Sequence, residues 1–529
     1  MGALPVPSPA PLVPRWVKVV DQTRCIGCHA CTTACKSENQ VPLGVTRTYV
    51  KSVDVGTFPE ARRVFQVTRC NQCGDAPCVA ACPTAAMYRR PDGIVDFDKS
   101  ICIGCKACIA ACPYDAIFIN PEDHSAEKCN FCAHRLEVGL EPACVVVCPV
   151  EAILVGDLHD PSSAVAAIVQ REPVTVRRPE KETRPGLYYK GAHQVTLDPL
   201  AARRPEGGLY AWASQGGEAG PGPGPSHRPG TGLLSQHVAS GHPGRANSSA
   251  AALLSYDVPH RAPWDWRVSL YTWTKGIAAG GFLVPVLLVL AGWAGWSGAL
   301  ARFAAPCMGL GLLAATGGLL VSDLGHPGRF YMIFTRPQLR SWLVKGALVI
   351  GAYGGALCLY LVGAIVGSDL LREVATAFAL PLAVASACYT AYLFAQAKAR
   401  DLWQSPLLAP HLAVQAVMAG AAALLPVAAW QGPHQAVAAL STLVGGAAGA
   451  HLLLVYGETT LTHTTAHARL AVEEMTRRRL APAFWAGVAL SAVAVAAPWI
   501  GVAAAPFALL GLLAHEHANV QAGQAVPLA

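Results

Sequence analysis

Residues 102–113 read CIGCKACIAACP, four cysteines at gaps of two, two and three residues with a proline behind the last. Three thiolates on one tight loop reach three irons of an iron–sulfur cube, and the fourth, one helical step further on, points to a different cube. The proline ends that step. Three further groups surround this one: CIGCHACTTAC (Cys25, Cys28, Cys31, Cys35), CNQCGDAPCVAACP (Cys70, Cys73, Cys78, Cys82) and CNFCAHRLEVGLEPACVVVCP (Cys129, Cys132, Cys144, Cys148). The second group widens one gap to four residues and the fourth to eleven, which a longer loop absorbs. Zinc ribbons use two C-x₂-C pairs a dozen or more residues apart. A third cysteine three residues after a pair has no place in them.

Because the last cysteine of each run serves the other cluster of a pair, the groups must pair. Groups two and three are adjacent, and groups one and four flank them. The expected sets are Cys70/Cys73/Cys78 with Cys112; Cys102/Cys105/Cys108 with Cys82; Cys25/Cys28/Cys31 with Cys148; and Cys129/Cys132/Cys144 with Cys35. Four [4Fe–4S] clusters then use sixteen of the 19 cysteines without remainder. The other three (Cys307, Cys358, Cys388) sit singly in apolar runs. Lys36, Lys106 and Lys128 lie beside these ligands, where a cation raises a cluster potential. No group in this half reads as a catalytic acid, base or nucleophile.

The 529 residues divide sharply. Only 14% are charged and 53% hydrophobic, and the charged clusters fall before about residue 200. The expected domains are a four-cluster domain over 15–170, a Pro/Gly-rich linker over 171–262 and a membrane bundle over 263–529. GPGPGPSHRPGTG from Gly220 has the composition of a solvated linker. GLYYKGAHQV from Gly186 is aromatic enough to pack on a neighbour. Eight apolar stretches follow, at about 268–292, 303–323, 342–366, 374–397, 407–430, 434–457, 481–498 and 499–514. Most reach the ~20 residues that span a bilayer. The last two are short, so seven or eight spans are expected. The fold class is therefore an α+β ferredoxin-like iron–sulfur domain, two paired two-cluster modules, followed by an all-α transmembrane bundle of about eight helices.

The net charge of +7 shows no basic stripe, which argues against nucleic acid. With eight spans the side bearing the cysteines carries Arg261, Arg267, Arg329, Arg336, Arg340, Lys345, Lys398, Arg400, Arg469 and Arg477 to Arg479, and the opposite side only Arg302 and Arg372. Positive loops face the cytoplasm. MGALPVPSPAPLVPRW at the start has neither a charged-then-apolar signal nor a twin-arginine pair. The expectation is a multi-pass protein of the cytoplasmic membrane with its iron–sulfur domain on the cytoplasmic side.

Residues 20–160, on their cysteine groups, resemble the four-cluster subunits of molybdopterin oxidoreductases of the dimethyl sulfoxide reductase, polysulfide reductase and formate dehydrogenase type. Residues 265–525 resemble the quinone-reactive anchor of polysulfide reductase and nitrite reductase complexes, through LLVSDLGHPGRFYMIFTRPQLRSWLVKGA from Leu319 and YTAYLFAQAKARDLWQSPLL from Tyr389. In those families the two parts are usually separate polypeptides. The resemblance implies a molybdopterin catalytic partner subunit and a membrane quinone, menaquinone or ubiquinone.

Polar and ionisable groups inside a bilayer are costly and so point to function. Lys275, Asp323, His326, Arg329, Gln396, Lys398, His411, His451 and Glu458 all fall in the leaflet nearest the cysteine domain. Quinone chemistry needs proton donors at hydrogen-bond reach, and Lys275, Asp323, His326 and His451 are the candidates. With no acidic chain to the far side, protons should enter and leave on the cluster side and turnover should move no net charge. Two other readings are a conduit for a nickel hydrogenase and a redox-coupled ion-translocating or sensory module. The far leaflet's lack of charge argues against pumping, and the lack of any kinase or response domain argues against sensing.

Overall fold

The computed structural model describes residues 13–56, 59–203, 252–292, 298, 300–431 and 434–528. Its first part is built from short strands and one-turn helices around the cysteines. β1 (Trp16–Asp21), β2 (Thr48–Val55), β3 (Arg62–Arg69), β4 (Met87–Arg89), β5 (Val95–Phe97), β6 (Ile117–Ile119), β7 (Ala126–Lys128), β8 (Ile153–Asp157), β9 (Val174–Thr175), β10 (Leu187–Lys190) and β11 (Ala252–Tyr256) form four small sheets. The largest has the order β8-β1-β10-β9, with β10 parallel to β1 and β8 antiparallel to it. β2 and β3 make a hairpin that β11 joins, and β4–β5 and β6–β7 are two more hairpins. Within the stretch expected as a linker, the aromatic segment at Gly186 supplies β10, and Ala252–Tyr256 pairs with β2. The GPGPGPSHRPGTG run lies outside the described residues.

The cysteine loops repeat two backbone shapes. In groups one and three the residue after the second cysteine is left-handed (His29 φ 60°, Lys106 φ 61°) and opens α1 (Ala30–Glu38) and α3 (Ala107–Ala111). The residue before the second cysteine is left-handed in all four groups (Gly27 φ 71°, Gln72 φ 47°, Gly104 φ 69°, Phe131 φ 66°). α2 (Pro77–Ala81), α4 (Ala133–Leu136), α5 (Ala143–Val146), α6 (Ala164–Arg171) and α7 (Gln194–Leu197) complete this part.

The second part is all helix: α8 (Trp266–Leu290), α9 (Ala305–Ser322), α10 (Trp342–Val366), α11 (Asp369–Ala395), α12 (Leu408–Gln431), α13 (His434–Thr460), α14 (Ala466–Arg477), α15 (Ala481–Val495) and α16 (Ala504–Ala525). A π-helical turn at Leu300–Ala304 precedes α9. Among the described residues seven helical segments are long and apolar enough to cross a membrane, and α15 is a shorter eighth. The chain is an integral multi-pass membrane protein. α14 is amphipathic, pairs charges such as Arg478–Glu473 at its end and lies outside the spans.

The spans at 266–290 and 408–430 are 67% and 61% buried, against 28–44% for the others. α8 and α12 are therefore central and the rest form a lipid-facing shell. They cross at Gly280 and Gly420, where a Cβ on Gly280 would lie 1.7 Å from the Ala416 carbonyl oxygen. Small residues at such crossings let helix backbones approach where water supplies no driving force.

Candidate electron-transfer site

The fold gathers the sixteen cysteines into the four expected sets. One cavity is lined by Cys82, Cys102, Cys105 and Cys108, and another by Cys25, Cys28, Cys31 and Cys148. Cys73 faces Cys70, Cys78 and Cys112. Asn39 Nδ2 lies 3.7 Å from both Cys35 Sγ and Cys132 Sγ, and Cys35 also faces Cys129 and Cys144. Peptide N–H groups point at the sulfurs, Ala152 to Cys148 at 3.2 Å, Met87 to Cys82 at 3.4 Å and Ala126 to Cys102 at 3.5 Å. Four converging thiols with amide donors behind them suit a cubane cluster.

The sets stand in a row, which the sequence spacing alone does not reveal. Cys31 is beside Cys144, Cys70 beside Cys129 and Cys78 beside Cys108. The order is Cys25/28/31/148, Cys35/129/132/144, Cys70/73/78/112, Cys82/102/105/108. The first set is open to solvent through exposed Cys28. The last sits on the helix bundle.

Charge along the row is uneven. Lys18 and Arg69 are buried (1% and 2% exposed) and aim at one thiol, Arg69 Nη1 donating to Cys144 Sγ at 3.0 Å and Lys18 Nζ at 3.7 Å. Burial raises the Cys144 pKa, but the two cations outweigh it and hold it at about 7. At Cys31 and Cys35 burial outweighs the more distant pull of Arg69 and pushes them up to about 11 and about 12, and burial likewise pushes Cys112 up to about 11. Neither Lys18 nor Arg69 was signalled by the sequence, since each reads as an alternating polar residue of a strand. The three lysines singled out by position differ, and of them the Lys128 charge favours the Cys70 and Cys78 thiolates. Lys36 donates to the Pro42 and Val45 carbonyls, Lys128 to those of Val95 and Cys129, and Lys106 leaves the domain altogether.

Lys106 Nζ pairs with Asp323 Oδ1 of the bundle at 2.8 Å. Around it the two parts are stitched by backbone. The Gly325 and His326 N–H groups donate to the Gly104 and Ile103 carbonyls, and Arg329 Nη1 donates to those of Lys99 and Cys102. Gly104 (φ +69°) has Gly325 Cα only 2.6 Å from where a Cβ would stand, so both positions must be bare. Gln338, Ser341 and Gln396 donate to the Val79, Ala81 and Ala80 carbonyls, and Trp264 Nε1 to that of Cys105.

Of the four polar bundle candidates, Asp323 and His326 therefore lie at the seam between domains, His326 through its backbone. Lys275 is deeper and buried, donating to Thr390 Oγ1 at 2.7 Å and the Ala387 carbonyl at 3.0 Å, with its Nζ 4.6 Å from the centre of the Tyr389 ring. His451 belongs to a separate group with His411, Glu458 and His515. Thr272 Oγ1 donates to Glu516 Oε2 at 3.1 Å between the two groups. His515 and Glu516 escaped sequence reading because the last apolar stretch ends at residue 514.

Residues 61–158 match a family described as a 4Fe-4S dicluster domain, and residues 257–526 match polysulphide reductase, NrfD. A subunit of the tetrathionate reductase of Salmonella typhimurium is 44% identical over 36% of this sequence and 77% of its own. One component of the polysulfide reductase of Wolinella succinogenes is 40% identical over 33% of this sequence and 93% of its own. Protein NrfC of Escherichia coli is 42% identical over 33% and 79%. All three align with about a third of the molecule. The matched domains, the buried thiols and the membrane helices together make the chain an iron–sulfur electron-transfer protein fused to its own anchor, and it belongs to the polysulphide reductase NrfD family.

Proposed function

We propose that the chain carries electrons between a molybdopterin catalytic subunit and membrane quinone through four [4Fe–4S] clusters, as the conduit and anchor of a reductase or dehydrogenase complex. The observation that carries this is the seam: Lys106, next to ligand Cys105, is bonded to Asp323, and α8 and α11 rise from that point to the buried Lys275–Thr390 pair. Bound clusters supply one-electron relay and nothing else. The residues of the chain do the rest.

In this reading Lys275 and Asp323 hold and pass protons at a quinone carbonyl. Tyr271 and Tyr389 line the same region and supply aromatic surface for a quinone ring. His326 and His451 stand further off in this reading, at the seam and in the histidine group. The exposed first set, flanked by Ile26 (56% exposed) and Val146 (61%), offers an apolar face for the catalytic partner.

We place the iron–sulfur domain on the cytoplasmic side from loop charge, although Arg329 and Arg400 are spent on protein contacts. Protease added to sealed spheroplasts should leave this domain intact. The leading test is to purify the complex anaerobically in mild detergent and measure its metals. Molybdenum or tungsten with reduction of the clusters by quinol is the expected result. Nickel selects a hydrogenase partner, and clusters inert to every quinol contradict the conduit.

A further inference from the structure

Three helices of the bundle converge on one polar knot that electron transfer does not use. His411 of α12 presents Nδ1 to Glu458 Oε2 of α13 at 3.0 Å and Nε2 to His451 Nδ1 at 2.8 Å. His515 of α16 packs against both, with the three imidazole centres 4.9–5.3 Å apart. One ligand atom each from His411, Glu458 and His515 lie within 4.8 Å of one another.

Both ring nitrogens of His515 (2% exposed), Nε2 of His451 (0%) and Oε1 of Glu458 have no hydrogen-bond partner among the described residues. Leaving such a group unpaired in the interior is costly, and here four unpaired atoms belong to one cluster. Glu516, 4% exposed, adds a second carboxylate next to His515. Carboxyl groups buried in a bilayer interior are costly. A divalent cation held among them offsets that cost.

Imidazole with carboxylate oxygen is the donor set of zinc and its neighbours, whereas calcium and magnesium take oxygen alone. Ligand atoms around a tetrahedral zinc stand about 3.3 Å apart given Zn–N of about 2.0–2.1 Å. The His411–Glu458 pair is already near that, and His515 needs a small rotation. The His411–His451 contact suits the same arrangement, since a ligating imidazole donates its other N–H to a neighbour that fixes the ring.

We propose that His411, Glu458 and His515 hold one divalent ion of the zinc class within the bundle, with His451 orienting His411 and Glu516 balancing the charge. The ion links α12, α13 and α16 and sets a fixed positive charge one residue from Glu516, to which Thr272 donates. The inference does not rest on quinone being the substrate.

The test uses the full, iron-loaded chain in detergent, equilibrated with zinc and freed of excess by gel filtration. One zinc per chain is expected. His515→Gln and Glu458→Gln should each lower it at least tenfold with iron unchanged, while His517→Gln, two residues on and outside the cluster, should keep it. Equal loss in His517→Gln, or no zinc in the wild type, overturns the proposal. Cobalt(II) provides a readout that needs no variant. Visible bands of a nitrogen- and oxygen-ligated tetrahedral ion support the site, whereas a thiolate charge-transfer band places the metal on cysteines and contradicts it.

Discussion

The two halves of the molecule build their sites in opposite ways. In the cysteine domain one loop supplies three thiols and a neighbouring group lends the fourth, so each set is local but locked to another. In the bundle each polar site takes one or two side chains from each of several helices, as with Lys275 of α8 and Thr390 of α11, or His411, Glu458 and His515. The first design fixes the distance within each of two pairs of sets through the lent cysteines, and the pairs meet where Cys70 is coupled to Cys129. The second leaves the scaffold independent of any one polar residue, because glycine crossings such as Gly280–Gly420 hold the helices. A lost ligand should therefore damage the wire severely, and a lost bundle side chain should damage chemistry but not assembly.

The largest effect is expected at the membrane end of the row. Cys108→Ser should cut quinol-driven reduction of the remaining clusters by at least ~100-fold in stopped-flow measurements. Cys28→Ser, at the far end, should leave that rate within a few fold while blocking delivery to the partner. Equal effects from both would break the linear order. Next, Lys275→Met should lower kcat/KM for quinol by about 10²–10⁴, the range of a lost acid–base group, with iron content unchanged. A loss of iron in this variant would show that the two halves are not independent.

The grouping of the cysteines is legible in the sequence, because spacings of two and three residues put three thiols on one loop. The order of the sets is not, since it depends on pairings such as β1 with β10, more than 160 residues apart in sequence. Lys18 and Arg69 were hidden for a related reason: β1 and β3 alternate, and alternation does not say which polar residue points inward at a thiol. In the bundle, apolar runs located the spans. They cut the last helix at residue 514, because its polar end, HEHANVQAGQA, reads as a tail although Gln524 and Val526 pack against Trp264 and Arg400. In the sequence Asp323 stands out only by its charge and its place at the cluster-side end of a span. Its partner Lys106 lies 217 residues away.

Smaller effects sharpen the contrast in charge. Arg69→Gln removes a cation 3.0 Å from Cys144. It should lower the midpoint potential of that cluster by on the order of 150–250 mV for a charge at this range and an effective dielectric constant near 20, read by redox titration with electron paramagnetic resonance. Lys106→Met should shift the last cluster less, because Asp323 already offsets the lysine.

The smallest effect is a pH dependence at the seam. Burial lowers the His260 pKa, but Asp115 and Asp257 outweigh it and hold it at about 9. A raised folded-state value gives stability that is complete below the unfolded value of about 6.5 and is lost as pH rises through about 9. Thermal melting should drop over that interval in the wild type and stay flat in His260→Gln.

The central claim is a row of four clusters ending beside a quinone site, and counting irons tests it most directly. Anaerobically purified protein should hold about sixteen irons with equal acid-labile sulfide, four for each cubane, and quinol should reduce them. Eight irons or fewer, or zinc at the cysteines, would contradict it.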